Sequence, residues 1–344
     1  MDQRPSGRRS ALLVGVAIVA VALFAQLYFS HSDSQPVVVR QDRILMGTVW
    51  SLQVVPSGQP HDATEQALDQ AFAEVSRIDR LMSEWKPESP LSAINAAAGT
   101  GGIEVPAELV DIIRRGIRYG DLTDGAFDIT WLGMGKLWHF DQAFTPPSES
   151  QVMEARSRVD YRKIRIDGNH VSIPAGWKIG LGGIAKGYAI DRAADKLREA
   201  GFRNFLVNGG GDVLVVGRKG KHDWTVGVRD PRGGPQDLVA RVRANGAVVT
   251  SGDYERFRIV DGVRYHHIID PRTGRPARLC RSVTIVADQA ERADVLATSV
   301  FVLGPTRGLQ LVSTLPHVEA FIIDSSGKRW MSEGFQRIAE FASE

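Results

Sequence analysis

A glycine-punctuated stretch that runs into a helical pattern, residues 178–201, most constrains how this chain can fold. Its sequence is KIGLGGIAKGYAIDRAADKLREAG, which passes through Gly182-Gly183 into a repeat with alanine or leucine at every fourth position. Gly201 ends the repeat, where a helix C-terminus favours a residue that adopts a left-handed conformation. Backbone N–H groups at a glycine-led helix start can approach an anion, and the helix dipole favours negative charge there. The stretch therefore predicts a helix that starts in either a tight turn or a phosphate site.

The composition of the 344-residue chain limits the class of protein. Hydrophobic residues make up 43% of it and charged residues 24%, which is enough to bury a core in one or two domains. The formal net charge is +2 without a long basic block, which argues against a nucleic-acid-binding surface. Cys280 is the only cysteine, so the chain forms no intramolecular disulfide and no cysteine-based zinc cluster.

The first 30 residues are typical of a membrane anchor. Three arginines precede an uncharged run over residues 11–29, and as a helix that run is roughly 28 Å long, about one bilayer core. Basic residues before such a run hold the N-terminus in the cytoplasm. A cleaved signal peptide is the alternative, although the run is long for one and no clean A-x-A site follows it. We expect a single-pass protein of the cytoplasmic (inner) membrane with its folded body on the periplasmic side.

The rest of the chain is predicted to form one domain behind a linker. Residues 31–43 are polar with one proline, as in a short linker, and residues 44–344 carry the folded body. Short β patterns cluster in its second half with helical patterns between them, which predicts an α+β fold of mixed sheets flanked by helices. The segment ILMGTVWSLQVV, which begins at Ile44, predicts one strand with the MGT triplet as a kink inside it.

Asp294 and Thr298 are the leading candidates for a metal site. Asp288 and Glu291 are spaced as in a capping box, which predicts that a helix starts there. On that helix Asp294 and Thr298 lie four residues apart and project from the same face. A carboxylate and a hydroxyl are hard oxygen ligands that suit Mg²⁺. The alternative is a solvated aspartate beside a structural threonine.

Two adjacent histidines, His266 and His267, precede a short β pattern and a D-P-x-T-G turn. The alternation of side chains along a strand places one histidine on each face. We therefore expect one of them to be buried and structural. The other is expected to meet a substrate, where a histidine can act as an acid, a base or a phosphate donor.

Together, motifs along the chain resemble those of the FAD:protein FMN transferases, the ApbE family. They are MGT at Met46, W-x-P-x-S from Trp85, TDGAFDIT from Thr123, GGIAKGYAID, NGGGDV, TSGDYERF, HHIIDPRTG and ADVLATS. They occur in the family's order from about residue 44 to residue 323. The resemblance implies an ApbE-like flavin transferase fold within the α+β class.

The resemblance also implies an activity. Enzymes of this family bind FAD with Mg²⁺, transfer FMN to a Thr or Ser hydroxyl of an acceptor protein through a phosphoester bond, and release AMP. The acceptor is expected to be an exported or membrane-bound electron-transfer subunit with a Ser/Thr-containing flavinylation motif. A Mg²⁺-dependent FAD pyrophosphatase, a membrane-tethered protein that only binds FAD, and a degenerate family member are the alternatives.

The residues of the site follow from the same resemblance. The Mg²⁺ ligands would be the carbonyl of Gly183 and the side chains of Asp294 and Thr298. The FAD site would be lined by Met46, Trp85, Ala126, Phe127, Asp128 and Lys186, with His267 near the reaction centre. The acceptor hydroxyl needs a proton acceptor, and both Asp294 and His267 are candidates for that base.

Two positions depart from the family's pattern. An acid usually stands three residues before the second glycine of the GG pair, where this chain has Gly180. Its loss would remove a hydrogen-bond acceptor for the nucleotide, so we expect a different affinity or nucleotide preference. Pro90 stands where the segment after Trp85 usually has an acidic residue. Neither position coincides with a proposed metal ligand.

Overall fold

The computed structural model of the chain describes residues 36–140 and 144–342. The predicted membrane segment, residues 1–30, and the start of the predicted linker lie outside the described residues. A compact unit begins at Val38. Within the described residues one helix, Ala290–Ser313, is long and apolar enough to cross a membrane. It is largely buried inside the protein, as expected of a core helix.

The helices of the described residues are spread along the chain. They are α1 His61–Met82, α2 Pro90–Ala96, α3 Ala107–Leu122, α4 Glu149–Arg156, α5 Ala185–Glu199, α6 Ala290–Ser313 and α7 Glu333–Ile338, with 3₁₀ turns at Trp131–Leu137 and Tyr161–Lys163. Helix α6 is interrupted at Gly304, which has a φ of 79°, and Pro305 follows it. A proline is tolerated in the first turn of a helix, so a second helical segment restarts there.

The strands concentrate in the second half, as the sequence predicts. They are β1 Val39–Leu45, β2 Thr48–Val54, β3 Ile103–Glu104, β4 Arg165–Asp167, β5 His170–Ser172, β6 Phe205–Gly209, β7 Asp212–Val216, β8 Arg218–Lys219, β9 His222–Asp223, β10 Thr225–Arg229, β11 Leu238–Arg243, β12 Gly246–Gly252, β13 Phe257–Val260, β14 Val263–His266, β15 Ile269–Asp270, β16 Arg275–Pro276, β17 Cys280–Ala287, β18 Glu319–Asp324, β19 Arg329–Met331 and β20 Ala339–Phe341.

The main sheet has eight strands in the order β1-β2-β6-β7-β12-β17-β18-β19. Every strand pair among the described residues is antiparallel. The α+β class is confirmed. The prediction of mixed sheets is wrong, because these strand pairs are all antiparallel and none is parallel. Consecutive strands are joined by hairpins or by a long connection such as helix α6. Both kinds of connection let the two strands run in opposite directions.

Side chains of the main sheet alternate between two hydrophobic clusters. Leu214 and Ile322 point into the larger one, together with the buried faces of α1, α5 and α6. Their neighbours Val215 and Phe321 point into the smaller one, against β10, β11 and Phe335 of α7. Since side chains alternate along a strand, the sheet buries both faces. The helical side carries the functional site.

The MGT triplet forms the turn of a hairpin rather than a kink within one strand. Strands β1 and β2 pair from Val39 with Val54 to Leu45 with Thr48. Met46 and Gly47 have φ angles of 49° and 72°, the positive values that a two-residue hairpin turn requires. The single-strand prediction is wrong because the apolar run continues through the turn. Strand β1 also begins inside the segment predicted as a linker.

Candidate active site

The glycine-led start of helix α5 is packed against the segment that contains Phe127. Helix α5 begins at Ala185, shortly after Gly183. A Cβ atom on Gly183 would lie 3.0 Å from Cε2 of Phe127, a contact too tight for most side chains. Ala126 and Phe127 are both buried there. The structure thus brings together Gly183, Ala126 and Phe127, three residues that the family resemblance assigns to the site.

Helices α5 and α6 approach each other closely at Gly187. A Cβ atom on Gly187 would lie 2.4 Å from the carbonyl oxygen of Ala290, so no side chain fits there. The backbone N–H of Gly187 donates to Oδ2 of Asp294 over 3.0 Å. This close contact allows the first turn of α5 to hold the Asp294 carboxylate, which is only 6% exposed.

The start of helix α6 is capped from α5, and not by the predicted capping box. The N-cap residue is Gln289, without a side-chain cap. Both oxygens of Asp191 accept hydrogen bonds from the backbone, one from Ala290 and one from Glu291, each over 2.9 Å. Glu291 instead forms an ion pair of 2.7 Å with Arg115. The capping-box prediction is therefore wrong, because the first backbone donors of α6 reach a partner 99 residues away.

Lys186 lies close to two buried carboxylates. Its Nζ is 2.5 Å from Oδ2 of Asp212, a residue that is 4% exposed. Burial, and then the negative charge of Asp212, raises the pKa of Asp294 to about 7. Burial lowers the pKa of Lys186, but the two carboxylates outweigh it and hold that pKa above its ordinary value. One charged lysine beside two aspartates leaves the cluster short of positive charge.

The hydroxyl of Thr298 lies one turn along α6 from Asp294, and the hydroxyl of Ser251 on β12 lies beside it. Thr298 is four residues after Asp294 on α6, and its Oγ1 is 3.3 Å from Oγ of Ser251 on β12. The backbone N–H of Thr250 bonds to the Asp212 carboxylate, which ties the same strand to the lysine cluster. The oxygen atoms of Asp294, Thr298 and Ser251 therefore converge from one helix and one strand.

The donor set of this cluster fits a hard divalent cation. Within the described part of the chain there is no group of three or more His, Cys, Asp or Glu side chains suited to a metal ion. The candidate set contains one such carboxylate, and hydroxyl and carbonyl oxygens complete it. Mg²⁺ is commonly held by one or two carboxylates and completes its shell with substrate phosphates and water. The buried Asp294 carboxylate, which has a raised pKa, is a suitable anchor for that charge.

The two histidines divide between the faces as predicted. His266 is buried: its Nδ1 accepts from the Ile268 N–H over 3.3 Å, and its Nε2 lies 2.7 Å from the Ala277 carbonyl. His267 is exposed. Loss of hydration, followed by the nearby basic groups His266 and Arg256, lowers the pKa of His267, although its contact with water limits that shift. His267 is therefore neutral at pH 7 and able to accept a proton.

The hairpin turn at Met46 lies against the glycine turn that precedes Asp212. The N–H of Gly210 donates to the Val49 carbonyl over 2.9 Å. A Cβ atom on Gly210 would lie 2.6 Å from Oγ1 of Thr48, so this approach requires glycine. The half-buried Met46 is thereby held close to the strand that carries Asp212.

Trp85 and Asp128, two residues assigned to FAD by the resemblance, have opposite environments. Trp85 is 76% exposed and presents a large apolar surface to solvent. The Asp128 carboxylate is buried and accepts hydrogen bonds from Thr130 (2.7 Å to N and 2.6 Å to Oγ1) and from the N–H of Tyr161 (3.0 Å). Asp128 thus shapes its own loop with its side chain, and its backbone carbonyl also accepts from the Trp131 N–H over 3.2 Å.

Three polar residues of the cluster were not predicted as site residues from the sequence. Asp212 belongs to the NGGGDV motif, and a signal was present, since an aspartate that directly follows three glycines and opens an apolar strand is an unusual core residue. Asp191 and Ser251 were missed for a different reason. Both lie inside quoted motifs, GGIAKGYAID and TSGDYERF, but their partners lie far away in sequence, so their roles could not be assigned.

The fold is an antiparallel α+β fold in which a lysine and two buried carboxylates lie at a glycine-led helix start. The profile of the ApbE family matches residues 46–322. The chain therefore belongs to the ApbE family.

Relatives and solved structures agree with this assignment. The chain is 35% identical to the FAD:protein FMN transferase of Treponema pallidum, covering 81% of this chain and 83% of the relative. It is 32% identical to that of Klebsiella pneumoniae, over 85% and 86%. The crystal structure of the ApbE protein from Thermotoga maritima superposes with a TM-score of 0.81 at 35% identity, covering 88% of this chain and 99% of that one. The flavin transferase ApbE of Vibrio cholerae gives a TM-score of 0.77 at 27% identity, over 88% and 99%.

Proposed function

We propose that this chain is a Mg²⁺-dependent FAD:protein FMN transferase that moves FMN from FAD to a Thr or Ser hydroxyl of an acceptor protein and releases AMP. The observation that carries the proposal is the cluster of Lys186, Asp212 and Asp294 at the start of α5. It supplies charge and oxygen ligands where the family's motifs converge, and the relatives that carry this name match most of the chain.

The FAD pyrophosphate would bind at the start of α5. Backbone N–H groups near Gly182 and Gly183 and the ammonium of Lys186 would neutralise its charge. Trp85 would stack on an aromatic ring of FAD, since its exposed indole offers the area for this contact. Met46, Ala126 and Phe127 would form the apolar wall, beside the backbone of Asp128. Phosphoryl transfer depends mainly on such positioning and charge neutralisation.

The Gly183 carbonyl, Asp294 and Thr298 would hold Mg²⁺, with Ser251 beside Thr298 as a further hydroxyl. When bound, the ion supplies Lewis-acid polarisation of the attacked phosphorus and stabilises the departing AMP. Asp212 would keep Lys186 charged and in place. Asp191, by fixing the start of α6, would hold Asp294 at its position opposite Gly187.

His267 would be the base, since Asp294 would be committed to the metal. The acceptor oxygen forms a bond to the phosphorus of the FMN half while the bond to AMP breaks. The hydroxyl proton passes to the neutral ring of His267. Exposure of His267 suits this role, because the acceptor is itself a protein and must reach the ring from solvent.

Replacement of this base has a specific expected effect. His267→Asn should slow transfer by about 10² to 10⁴-fold, the usual contribution of a general base, and should leave the dissociation constant of FAD within about twofold. His317→Asn, at another exposed histidine, is the matched control. An unchanged transfer rate in His267→Asn would assign the base elsewhere.

The family resemblance supports a proposal for the acceptor, and the first 30 residues support one for the location. Residues 1–30 would anchor the catalytic domain, residues 44–344, to the outer face of the cytoplasmic membrane. The acceptor would then be an exported or membrane-bound electron-transfer subunit with a Ser/Thr flavinylation motif. A protein acceptor would also explain why Trp85 and His267 are both exposed.

The test combines the full chain in detergent with FAD, Mg²⁺ and an exported acceptor domain that carries such a motif. We expect the intact mass of the acceptor to rise by one FMN, with an equal amount of AMP released. AMP and free FMN without a modified acceptor, for several acceptors, would favour a pyrophosphatase in which water replaces the hydroxyl. FAD binding without any AMP would contradict both enzymes and leave a binding protein.

A further inference from the structure

The carboxylate of Glu84 lies at the glycine turn that precedes helix α5. Glu84 follows the end of helix α1 and directly precedes the exposed Trp85. One of its oxygens would be 3.4 Å from a Cβ atom on Gly182, and the backbone N–H of Leu181 bonds to the carboxylate, as does that of Glu84 itself. Two segments that are distant in the chain thus meet through this one side chain.

Two backbone N–H groups favour the charged form of the Glu84 carboxyl. Burial raises the pKa of its carboxyl, and the two backbone N–H groups oppose that shift. No lysine or arginine among the described residues contributes to the shift or forms an ion pair with this carboxylate. Each carboxylate oxygen has more than one acceptor position, so the two backbone donors leave capacity for a ligand.

At Gly180, where the family usually has an acid, there is little space for a side chain. A Cβ atom there would lie 3.0 Å from Cβ of Leu132 and 3.1 Å from Nε1 of Trp131. The N–H of Gly180 donates to the Ile129 carbonyl over 2.8 Å, which keeps the backbone in place. An acid at this position would have to displace Trp131. The chain instead carries an acid on the neighbouring segment, at Glu84.

We propose that Glu84 takes the place of the missing acid and accepts hydrogen bonds from the ribose hydroxyls of the AMP half of FAD. The inference rests on the proposed function, because it assumes that FAD binds at the start of α5. A carboxylate beside a phosphate site repels the phosphates, so the ligand group that it meets must be a hydrogen-bond donor. The ribose of the AMP half offers two adjacent hydroxyls, which match the two oxygens of one carboxylate.

The test compares FAD with FMN, which lacks the AMP half. Binding of each is measured by calorimetry to the full chain in detergent with Mg²⁺ and without acceptor, and chromatography verifies that FAD stays intact. In Glu84→Gln we expect the dissociation constant of FAD to rise on the order of tenfold, while that of FMN changes less than about twofold. Glu88→Gln, at an exposed acid of the same segment, is the matched control and should change neither.

Other outcomes would overturn the proposal. Equal losses for FAD and FMN would place Glu84 at the flavin half or in a purely structural role, and unchanged FAD binding would remove it from the site. Because no acceptor is present, these results do not depend on whether transfer occurs. Failure of the unmodified chain to bind FAD at all would instead contradict the proposed function itself.

A second variant tests whether Glu84 does the work of an acid at position 180. It returns an acid to position 180 by combining Gly180→Asp with Glu84→Gln and with Trp131→Ala, which removes the contacts of the indole and leaves that of Leu132 Cβ. Gly180→Ala in the same background of Trp131→Ala and Glu84→Gln is the matched control without the carboxylate. FAD affinity that recovers with the aspartate and not with the alanine would support this role of Glu84. Equal affinities of the two variants would contradict it.

Discussion

The contact between α5 and α6 differs sharply from the rim, by which we mean the two exposed residues Trp85 and His267 that the family resemblance assigns to the site. In the contact, Asp294, Asp212 and Lys186 are bonded to each other or to backbone groups, and both carboxylates are withdrawn from water. At the rim, Trp85 is 76% exposed and His267 is exposed. The buried region therefore fixes its geometry before any ligand arrives, whereas the rim gains its contacts only on binding. Substitutions in the two regions should fail in different ways.

The largest effect is expected at the centre of the buried region. Asp294→Asn keeps the size of the side chain and an acceptor for the Gly187 N–H but removes the charge that would hold Mg²⁺. We expect Mg²⁺-dependent transfer to fall by at least about a hundredfold, since the interaction acts on the reacting phosphate. Asp288→Asn, at an exposed acid before the same helix, should retain activity. Full activity in Asp294→Asn would contradict the metal assignment.

A smaller effect is expected at the cap that joins the two helices. Asp191→Ala leaves the N–H groups of Ala290 and Glu291 without their acceptor, which should cost about 1–2 kcal/mol of unfolding free energy. It should also slow transfer, because Asp294 lies one turn further along α6. Chemical denaturation and the transfer assay measure the two effects on the same preparation. Glu199→Gln, at an exposed acid of α5, is the control. A stability loss without any change in rate would show that the cap does not position Asp294.

At Trp85 the effect should be on binding alone. Trp85→Ala removes stacking area and should weaken FAD binding by about 1 kcal/mol, while the Tm stays the same because the indole is not packed in the core. Fluorescence quenching of FAD on titration measures this. Met153→Ala, at another exposed apolar residue, should have no effect on FAD. Unchanged quenching in Trp85→Ala would remove Trp85 from the site.

The same contrast explains how much could be predicted from the sequence. Periodicity identified the glycine-led helix, placed Asp294 and Thr298 on one face of α6, and divided the two histidines, because each depends on residues close together in the chain. Periodicity did not identify Asp191 and Asp212 as site residues, because their roles depend on contacts between distant segments. The bond from the Gly187 N–H to Asp294 spans 107 residues. The residue type and local position of such side chains can be read from the sequence, but the partner that each one meets across two elements cannot.

The smallest expected effect concerns the buried partner of the exposed histidine. Burial lowers the pKa of His266 below the ordinary value of 6.5, and Arg264 and Arg232 act in the same direction, while the Ala277 carbonyl and Asp253 oppose them. The unfolded chain therefore binds a proton more readily than the folded protein does. The resulting stability is present above about pH 6.5 and is lost as the pH falls below it.

His266→Gln removes this contribution but keeps a donor for the Ala277 carbonyl. In the unmodified chain, His266 should make the unfolding free energy larger at about pH 7.5 than at about pH 5.5. In His266→Gln this difference between the two pH values should be smaller, by at most about 1.4 kcal/mol per pH unit. His317→Gln, at an exposed histidine, should leave the difference between the two free energies unchanged. An identical pH dependence in His266→Gln would show that His266 is protonated as readily in the folded protein as in the unfolded chain. The contrast between the buried His266 and the exposed His267 would then rest on position alone.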